Sequence, residues 1–317
     1  MNAIETQGLS KAYGGAPALQ DLNLKVRRNS IVGFLGPNGA GKSTTIKLLL
    51  GLMRPTAGQG SVFGHDIVKE SVKIRQRVGF LAQEPRFYDH LTARETLRFT
   101  ARFFYTGPSA AIEKRVSDSL ELVGLQDKAD RPVKGFSGGE RQRLGIAQAQ
   151  MNDPELIILD EPAAALDPMG RRDVLAIMTR LRERSTIFYS THILDDVQRV
   201  SDAVAILNRG RLVAQAPIGE LLAGNGRTTY LVTLKGDATE ASRRLLEQPW
   251  VTNVAEAAAA GQSRLKVTVA DESAAEALLL RVLLSDSGSV VTEFGRRKYD
   301  LEEVFMGLVE GGRQDER

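Results

Sequence analysis

The sequence contains no cysteine, so disulfide bonds and thiolate metal sites are excluded, as suits a reducing compartment. It also has no run of about 18 apolar residues, the length that a membrane-spanning helix needs. The first residues, Met1 to Glu5, lack the charged start and apolar core of a secretory signal. We therefore expect a chain that spans no bilayer, so any work at a membrane would require a partner that crosses it.

The chain also has little charge of either sign in excess. Lysine and arginine number 42 against 39 acidic residues, for a formal net charge of +3. Such a small excess is no argument for nucleic acid binding, and we expect no nucleic acid partner. The length of 317 residues and a hydrophobic share of 42% are typical of a globular protein with one large and one smaller domain.

The most informative stretch is a complete G-x-x-x-x-G-K-[ST] phosphate-binding loop between an apolar strand at 31–35 and a helical pattern from residue 45. Its backbone N–H groups and the helix N-terminus can bind polyphosphate oxygens. Lys42 would reach the β- and γ-phosphates, and the Ser43 hydroxyl would ligate Mg²⁺. The predicted nucleotide-binding residues of this loop are Gly36, Pro37, Asn38, Gly39, Ala40, Gly41, Lys42, Ser43 and Thr44.

Polar side chains follow three predicted strands of an open sheet, where ligands of such sheets bind. Gln83 ends the first, Asp160 and Glu161 directly follow the apolar run 156–159, and His192 follows the third. Asp160 would hold Mg²⁺, and Gln83 would orient water or touch the metal. Glu161 would be the base for the attacking water, or its orienter. His192 would hydrogen-bond a γ-phosphate.

A second anion site is predicted where Ser137, Gly138 and Gly139 open a helix, because this turn exposes N–H groups and a hydroxyl. Ser137 and Glu140 also have the spacing of a capping box, so a purely structural account is available. One nucleotide cannot easily occupy both anion sites of one chain. We therefore expect two chains to share two nucleotides.

Two aromatic features complete the pattern. Tyr13 precedes the phosphate loop at an interval that would let its ring stack on a nucleotide base, although packing in a β-turn is the alternative. From Thr92 to about residue 134 the sequence is helical, beginning with a capping box at Thr92 and Glu95. There the pattern predicts one apolar helix face, made of Leu97, Phe99, Phe103 and Phe104.

Taken together, these stretches resemble the motifs of ATP-binding cassette (ABC) ATPase subunits and occur in the same order along the chain, over about residues 4 to 223. They are Tyr13, residues 36–44, Gln83, residues 137–140, Asp160 and Glu161, residues 165–167, and His192. The resemblance implies an α/β P-loop ATPase domain with a helical subdomain at about 88–150. It also implies that the chain binds ATP and Mg²⁺, dimerises around two nucleotides and drives a separate integral membrane permease.

The resemblance also assigns roles to single residues. Tyr13 is then the adenine-stacking aromatic and Gln83 the glutamine of the coupling loop. Ser137, Gly138 and Gly139 form the signature that contacts ATP on the opposite subunit. Glu161 is then the catalytic base, Asp167 is the dimer-interface aspartate, and His192 is the switch histidine. Lys42 completes the predicted catalytic set of Glu161, His192, Gln83 and Lys42.

Two stretches depart from the family pattern. The signature is Phe-Ser-Gly-Gly-Glu, where Leu-Ser-Gly-Gly-Gln is commoner, and Glu140 keeps the capping role. The segment after Pro162 is Ala163-Ala164-Ala165, which lacks the hydroxyls usual there. We therefore expect intact hydrolysis with weaker coupling between the two subunits of a dimer.

Beyond about residue 226 the pattern changes to βαββαβ, the order of a ferredoxin-like α+β domain. A terminal helix is predicted to start at Asp300, with Glu303 at capping spacing. This region resembles the accessory domain of ABC-2 type exporters of the drug-resistance and sodium-export group, although an unrelated α+β domain is the alternative. The predicted domains are 1–225, 226–310 and a flexible tail at 311–317.

The sequence thus predicts an ATPase subunit, cytoplasmic and peripheral on the inner face of the cell membrane, that powers an exporter as a homodimer or a heterodimer. Two other functions stay open at this point. A soluble ABC protein of translation or DNA repair typically carries two cassettes or a long coiled-coil insertion, which this chain lacks. A nucleotide-dependent regulator would bind a small ligand in its C-terminal domain.

Overall fold

The computed structural model describes residues 1–222, 228–259, 262–285 and 290–296, together with 301, 302 and 305. The chain divides into two compact units, Met1–Ile218 and Gly219–Met306. The boundary predicted at 225 and 226, the predicted helix start at Asp300 and Glu303, and the predicted tail at 311–317 lie outside the described residues.

The first unit alternates strands and helices along the chain. Its strands are β1 (Asn2–Tyr13), β2 (Ala16–Leu22), β3 (Lys25–Arg27), β4 (Ile31–Leu35), β5 (Ala57–Val62), β6 (His65–Asp66), β7 (Val78–Leu81), β8 (Leu156–Asp160), β9 (Thr186–Thr191), β10 (Ala203–Asn208) and β11 (Arg211–Pro217). Its α-helices are α1 (Lys42–Leu49), α2 (Ser71–Arg77), α3 (Ala93–Ala101), α4 (Ser109–Leu122), α5 (Gly138–Ala149), α6 (Pro168–Leu181) and α7 (Leu194–Val200), and α8 (Ile218–Leu222) spans the division between the units.

Two sheets form this unit. The smaller, antiparallel sheet has the order β2-β1-β5-β6, with β3 also paired to β1. The larger sheet has the order β11-β10-β4-β9-β8-β7 and is parallel from β10 through β7. Strands β4, β8 and β9 are buried at every position, because their apolar runs are covered on both faces of the sheet.

The main hydrophobic core contains side chains from both sheets and from helix α1. Ile4 of β1, Phe34 of β4, Ile46 of α1 and Phe188 of β9 are all fully buried in it. The rings of Phe34 and Phe188 lie with their centroids 5.2 Å apart. This packing holds β4 beside β9 in a register that pairs Leu35 with Thr191, so the strand ends that carry the predicted polar residues meet at one edge.

The helical region begins as predicted but does not form the predicted apolar face. Thr92 and Glu95 complete a capping box at the start of α3, and Leu97 is buried. The aromatic residues after it are exposed instead, by 45%, 71% and 46% for Phe99, Phe103 and Phe104. Phe99 is two residues from Leu97 and so lies away from the buried face of the helix. Helix α3 ends at Ala101, before the other two rings.

The second unit has the βαββαβ order that the sequence predicts. Its elements are β12 (Thr228–Lys235), α9 (Thr239–Leu246), β13 (Val251–Ala259), β14 (Gln262–Val269), α10 (Glu272–Leu283) and β15 (Val290–Arg296). The strands form an antiparallel sheet in the order β13-β14-β12-β15. Alternate residues of β12 and β14, such as Val232 and Leu265, pack against Leu245 of α9 and Leu279 of α10 in a separate core.

Candidate functional site

The phosphate-binding loop connects β4 to α1 through backbone positions that admit only glycine. Gly41 has a φ of +107°, and a Cβ there would lie 2.6 Å from the Ala18 carbonyl oxygen. A Cβ at Gly36 would lie 2.3 Å from the Leu207 carbonyl oxygen. The Gly36 N–H donates to the Thr191 carbonyl at 3.2 Å, which ties the start of the loop to the end of β9.

Lys42 is the first residue of α1, and its side chain is buried under the loop. Its ammonium donates to the carbonyl oxygens of Gly36 at 2.6 Å and Pro37 at 3.1 Å. It also forms an ion pair with the Glu161 carboxylate, with Nζ 3.2 Å from Oε1. The first residue of α1 is thus a lysine whose charge is balanced by Glu161, the residue that directly follows β8.

Glu161 connects this buried lysine to the protein surface. Its second oxygen, Oε2, lies 3.0 Å from Nδ1 of His192. The side chains of Lys42, Glu161 and His192 are 5%, 7% and 44% exposed, so the series runs outward from the core. Glu161 has a φ of +50°, a left-handed conformation that is uncommon for a residue with a side chain.

Asp160 lies at the end of β8, directly before Glu161, and is buried. Its Oδ1 accepts a hydrogen bond from the Ser190 hydroxyl at 2.5 Å. In the part of the chain that the structure describes, no donor contacts its Oδ2, and no group of three or more His, Asp and Glu residues could hold a metal ion. A metal at Asp160 would therefore take most of its ligands from other oxygens, such as phosphates and water.

Gln83 lies close to the same sheet edge. Strand β7 pairs with β8 up to Leu81 and Leu159, so Gln83 follows its last paired residue by two positions, just as Glu161 does. The Gln83 side chain is exposed. The register therefore supports the predicted placement of Gln83, Asp160, Glu161 and His192 along one edge.

The predicted second anion site is built as a capping box at the start of α5. The Ser137 N–H donates to Glu140 Oε2 at 2.7 Å, and the Glu140 N–H donates to Ser137 Oγ at 3.3 Å. Lys128 forms an ion pair with Oε1 of Glu140. Burial raises the pKa of Glu140, but the hydrogen bonds from Lys128 and from the Ser137 N–H outweigh burial and hold that pKa below its usual range.

The remaining predicted residues have local partners of their own. Tyr13 is exposed, and its hydroxyl lies 2.9 Å from the Met53 sulfur. Asp167 caps α6 by accepting the Gly170 N–H at 2.7 Å. Among the described residues, no hydrogen bond or ion pair joins the series Lys42, Glu161 and His192 to these residues or to the signature residues Ser137, Gly138 and Gly139.

Two residues at these sites escaped the sequence analysis. Ser190 contacts both Asp160 and Glu161, and its signal was a serine near the end of a buried strand, two residues before His192. Lys128 carried no signal, because it reaches Glu140 from the 3-10 turn Gln126–Lys128 rather than from a neighbouring position on the same helix.

Comparison with known proteins gives consistent similarities. A family model described as ABC transporter matches residues 19–164. The bacitracin transport ATP-binding protein BcrA of Bacillus licheniformis is 37% identical over 311 residues, or 98% of each chain. The daunorubicin/doxorubicin resistance ATP-binding protein DrrA of Streptomyces peucetius is 35% identical, covering 96% of this chain and 92% of that protein.

Among solved structures, the ATP-binding cassette MJ0796, a dimer in a post-hydrolysis state bound to ADP and Pi, matches with a TM-score of 0.63. The two sequences are 26% identical, and the match covers 68% of this chain and 98% of that one. The similarity to BcrA extends through both units of this chain, because it covers nearly its whole length.

Proposed function

This chain belongs to the family of ABC transporter ATP-binding proteins, and we propose that it powers an exporter whose permease is of the ABC-2 type. It is the ATP-hydrolysing subunit of a transporter, and it dimerises and works with a membrane permease. The geometric observation that supports the proposed chemistry is the series Lys42, Glu161 and His192 beside the phosphate-binding loop.

In the proposed mechanism, the loop amides and the Lys42 ammonium absorb the negative charge of the transferring phosphoryl group. A bound polyphosphate would compete with Glu161 for Lys42, because the ammonium that would bind the phosphates is paired with the Glu161 carboxylate. Glu161 accepts a proton from the attacking water, or orients that water. His192, whose Nδ1 lies at Glu161, hydrogen-bonds the γ-phosphate through its other ring nitrogen, Nε2.

The residues at the strand ends fit a Mg²⁺ ion. Among the described residues, no hydrogen-bond donor contacts Oδ2 of the Asp160 carboxylate. The Ser43 hydroxyl and the Gln83 amide would supply two further oxygen ligands for the metal. Mg²⁺ prefers a few protein oxygens completed by phosphates and water. We therefore propose that Ser43, Asp160 and Gln83 hold Mg²⁺, which would neutralise phosphate charge during transfer.

We further propose that the second anion site serves the nucleotide of the partner subunit. Ser137, Gly138 and Gly139 present a hydroxyl and a helix N-terminus, yet within the described ranges no hydrogen bond or ion pair joins them to the Lys42 series of their own chain. A partner related by a two-fold axis would place each signature over the other chain's loop, with Asp167 at the shared interface. Tyr13 would stack on the adenine ring.

For the permease we propose a docking surface close to Gln83. Tyr88, Phe99, Phe103 and Phe104 form an exposed aromatic surface, with Tyr88 and Phe99 at 6.0 Å and Phe99 and Phe103 at 5.1 Å between ring centroids. Phe104 also lines a cavity of about 290 Å³ together with Ala82 and Pro85, the residues on either side of Gln83 and Glu84. An exposed apolar patch of this kind is typical of a protein interaction site.

No helix in the described ranges is long and apolar enough to cross a membrane. The proposed permease would therefore supply the membrane-spanning part, and we propose that this subunit binds it at the inner face of the cell membrane. The names of BcrA and DrrA, which refer to bacitracin transport and to daunorubicin and doxorubicin resistance, support export as the direction. The second unit would be the accessory domain of this exporter group.

The test is to purify Glu161→Gln from gently solubilised cells of its source with ATP present. We expect hydrolysis at least about 100-fold slower, as for loss of a general base, with ATP retained in a dimer. A multi-span membrane protein should copurify in stoichiometric amount. Glu183→Gln, which changes an exposed glutamate just before the start of β9, at the end of that strand opposite to His192, is the control. Wild-type turnover would contradict the role of Glu161, and a ribosome or DNA as partner would contradict transport.

A further inference from the structure

Ser190 occupies a position that neither the phosphate-binding loop nor the signature accounts for. It is the fifth residue of β9, is fully buried, and pairs with Asp160 across the sheet. Its Oγ lies 2.5 Å from Asp160 Oδ1 and 2.9 Å from the backbone nitrogen of Glu161. One hydroxyl therefore contacts both acidic residues at the end of β8.

The direction of these two hydrogen bonds is determined by chemistry. A backbone N–H only donates, so the Ser190 oxygen must accept from Glu161. A hydroxyl has a single hydrogen, and the buried Asp160 carboxylate can only accept it when ionised. Ser190 thus donates to Asp160 while it accepts from Glu161, and no other orientation of the hydroxyl satisfies both partners.

The backbone of Glu161 needs such support. Its φ of +50° places it in the left-handed region, which residues with a Cβ adopt only when the surroundings hold them there. The N–H that Ser190 accepts belongs to this same residue, and it is buried. This backbone conformation carries the carboxylate whose two oxygens lie at Lys42 and His192.

We propose that Ser190 is a positioning residue, which fixes the Asp160 carboxylate and the backbone of Glu161 for nucleotide hydrolysis. The inference rests on the proposed roles of Asp160 and Glu161. An apolar residue at 190 would leave the buried N–H of Glu161 without an acceptor and would remove the hydroxyl that donates to Asp160. Both acidic residues would then lose the hydrogen bond that holds them in place.

The test compares Ser190→Ala, Ser190→Thr and Ser185→Ala as purified full-length proteins. Ser185→Ala is the matched control, because Ser185 also donates a buried hydroxyl, to the Pro154 carbonyl at 2.7 Å, but just before the opposite end of β9. We expect Ser190→Ala to lower kcat about 10- to 100-fold, as a misplaced catalytic group does, with KM for ATP changed less than about threefold. Ser190→Thr keeps the hydroxyl and should restore kcat.

A second readout does not depend on turnover. In the Glu161→Gln background, Ser190→Ala should raise the Mg²⁺ concentration needed to retain ATP by about tenfold, because the carboxylate at 160 is no longer oriented. Equal kcat for Ser190→Ala and Ser185→Ala, or no rescue by threonine, would overturn the proposal for Ser190. Full activity of Glu161→Gln itself would instead overturn the proposed mechanism, so the two failures are distinguishable.

Discussion

Lys42 and Glu161 form a buried ion pair, with 3.2 Å between Nζ and Oε1, although they are 119 positions apart in the chain. Lys42 begins the helix after β4, and Glu161 follows the end of β8. Strand β9 lies between β4 and β8 in the sheet. It contains Ser190, and His192 directly follows its last residue. The proposed catalytic series is thus assembled by three parallel strands that end at one edge.

This ion pair should be measurable as stability when no nucleotide is present. Lys42→Met leaves the Glu161 carboxylate buried without its ammonium, and we expect the free energy of unfolding to fall by about 3 kcal/mol. The double variant Lys42→Met/Glu161→Gln removes the uncompensated charge and should recover part of that loss. Chemical denaturation of the single and double variants checks this. Equal losses in both would show that the pair contributes nothing beyond packing.

The carboxylate of the signature turn predicts a pH-dependent stability. Glu140 has a pKa below its ordinary 4.5, because the hydrogen bonds from Lys128 and Ser137 outweigh burial. A lowered carboxyl pKa contributes stability that is present above pH 4.5 and is lost as the pH falls through the folded-state value. The free energy of unfolding of Glu140→Gln should therefore be about 1 kcal/mol lower than that of the wild type at pH 7. This difference should become smaller as the pH falls through the folded-state pKa of Glu140.

Denaturant titrations at several pH values test this. Glu121→Gln, on the exposed side of α4, is the control and should show no such pH dependence. The same stability difference between wild type and Glu140→Gln at pH 7 and at pH 4 would contradict the prediction. Since Glu140→Gln brings the last residue of the signature to the commoner glutamine, hydrolysis should persist in this variant.

The exposed aromatic surface predicts that binding of the permease can be weakened without loss of ATP hydrolysis. Phe103 is 71% exposed, so Phe103→Ser should leave the melting temperature and the basal ATPase rate unchanged. If the permease docks there, the variant should copurify with much less of it. Leu246→Ser, on helix α9 of the second unit, is the control, because Leu246 is an apolar side chain 55% exposed elsewhere. Unchanged copurification of the permease with Phe103→Ser would remove this surface from the proposed interface.

Local sequence patterns predicted the elements of both units well where the signal was short-ranged. The apolar run before Asp160 predicted β8, because a strand covered on both faces needs apolar side chains throughout. Capping spacing predicted the starts of α3 and α5, because the cap contacts lie within one helical turn. The apolar face with Phe99 and Phe103 was wrong, because an aromatic residue does not reveal which side of a helix the fold covers.

The sequence by itself determined the phosphate-binding loop, the strand-end acids and the order of elements, since each depends on neighbouring residues and on backbone propensity. Only the tertiary structure decided that Lys42 pairs with Glu161, that Ser190 holds both acids, and that Lys128 reaches Glu140. These contacts join distant segments, and their partners are chosen by strand order and packing in the sheet. A hydroxyl in a buried strand acquires its role only when the neighbouring strand brings it an acid.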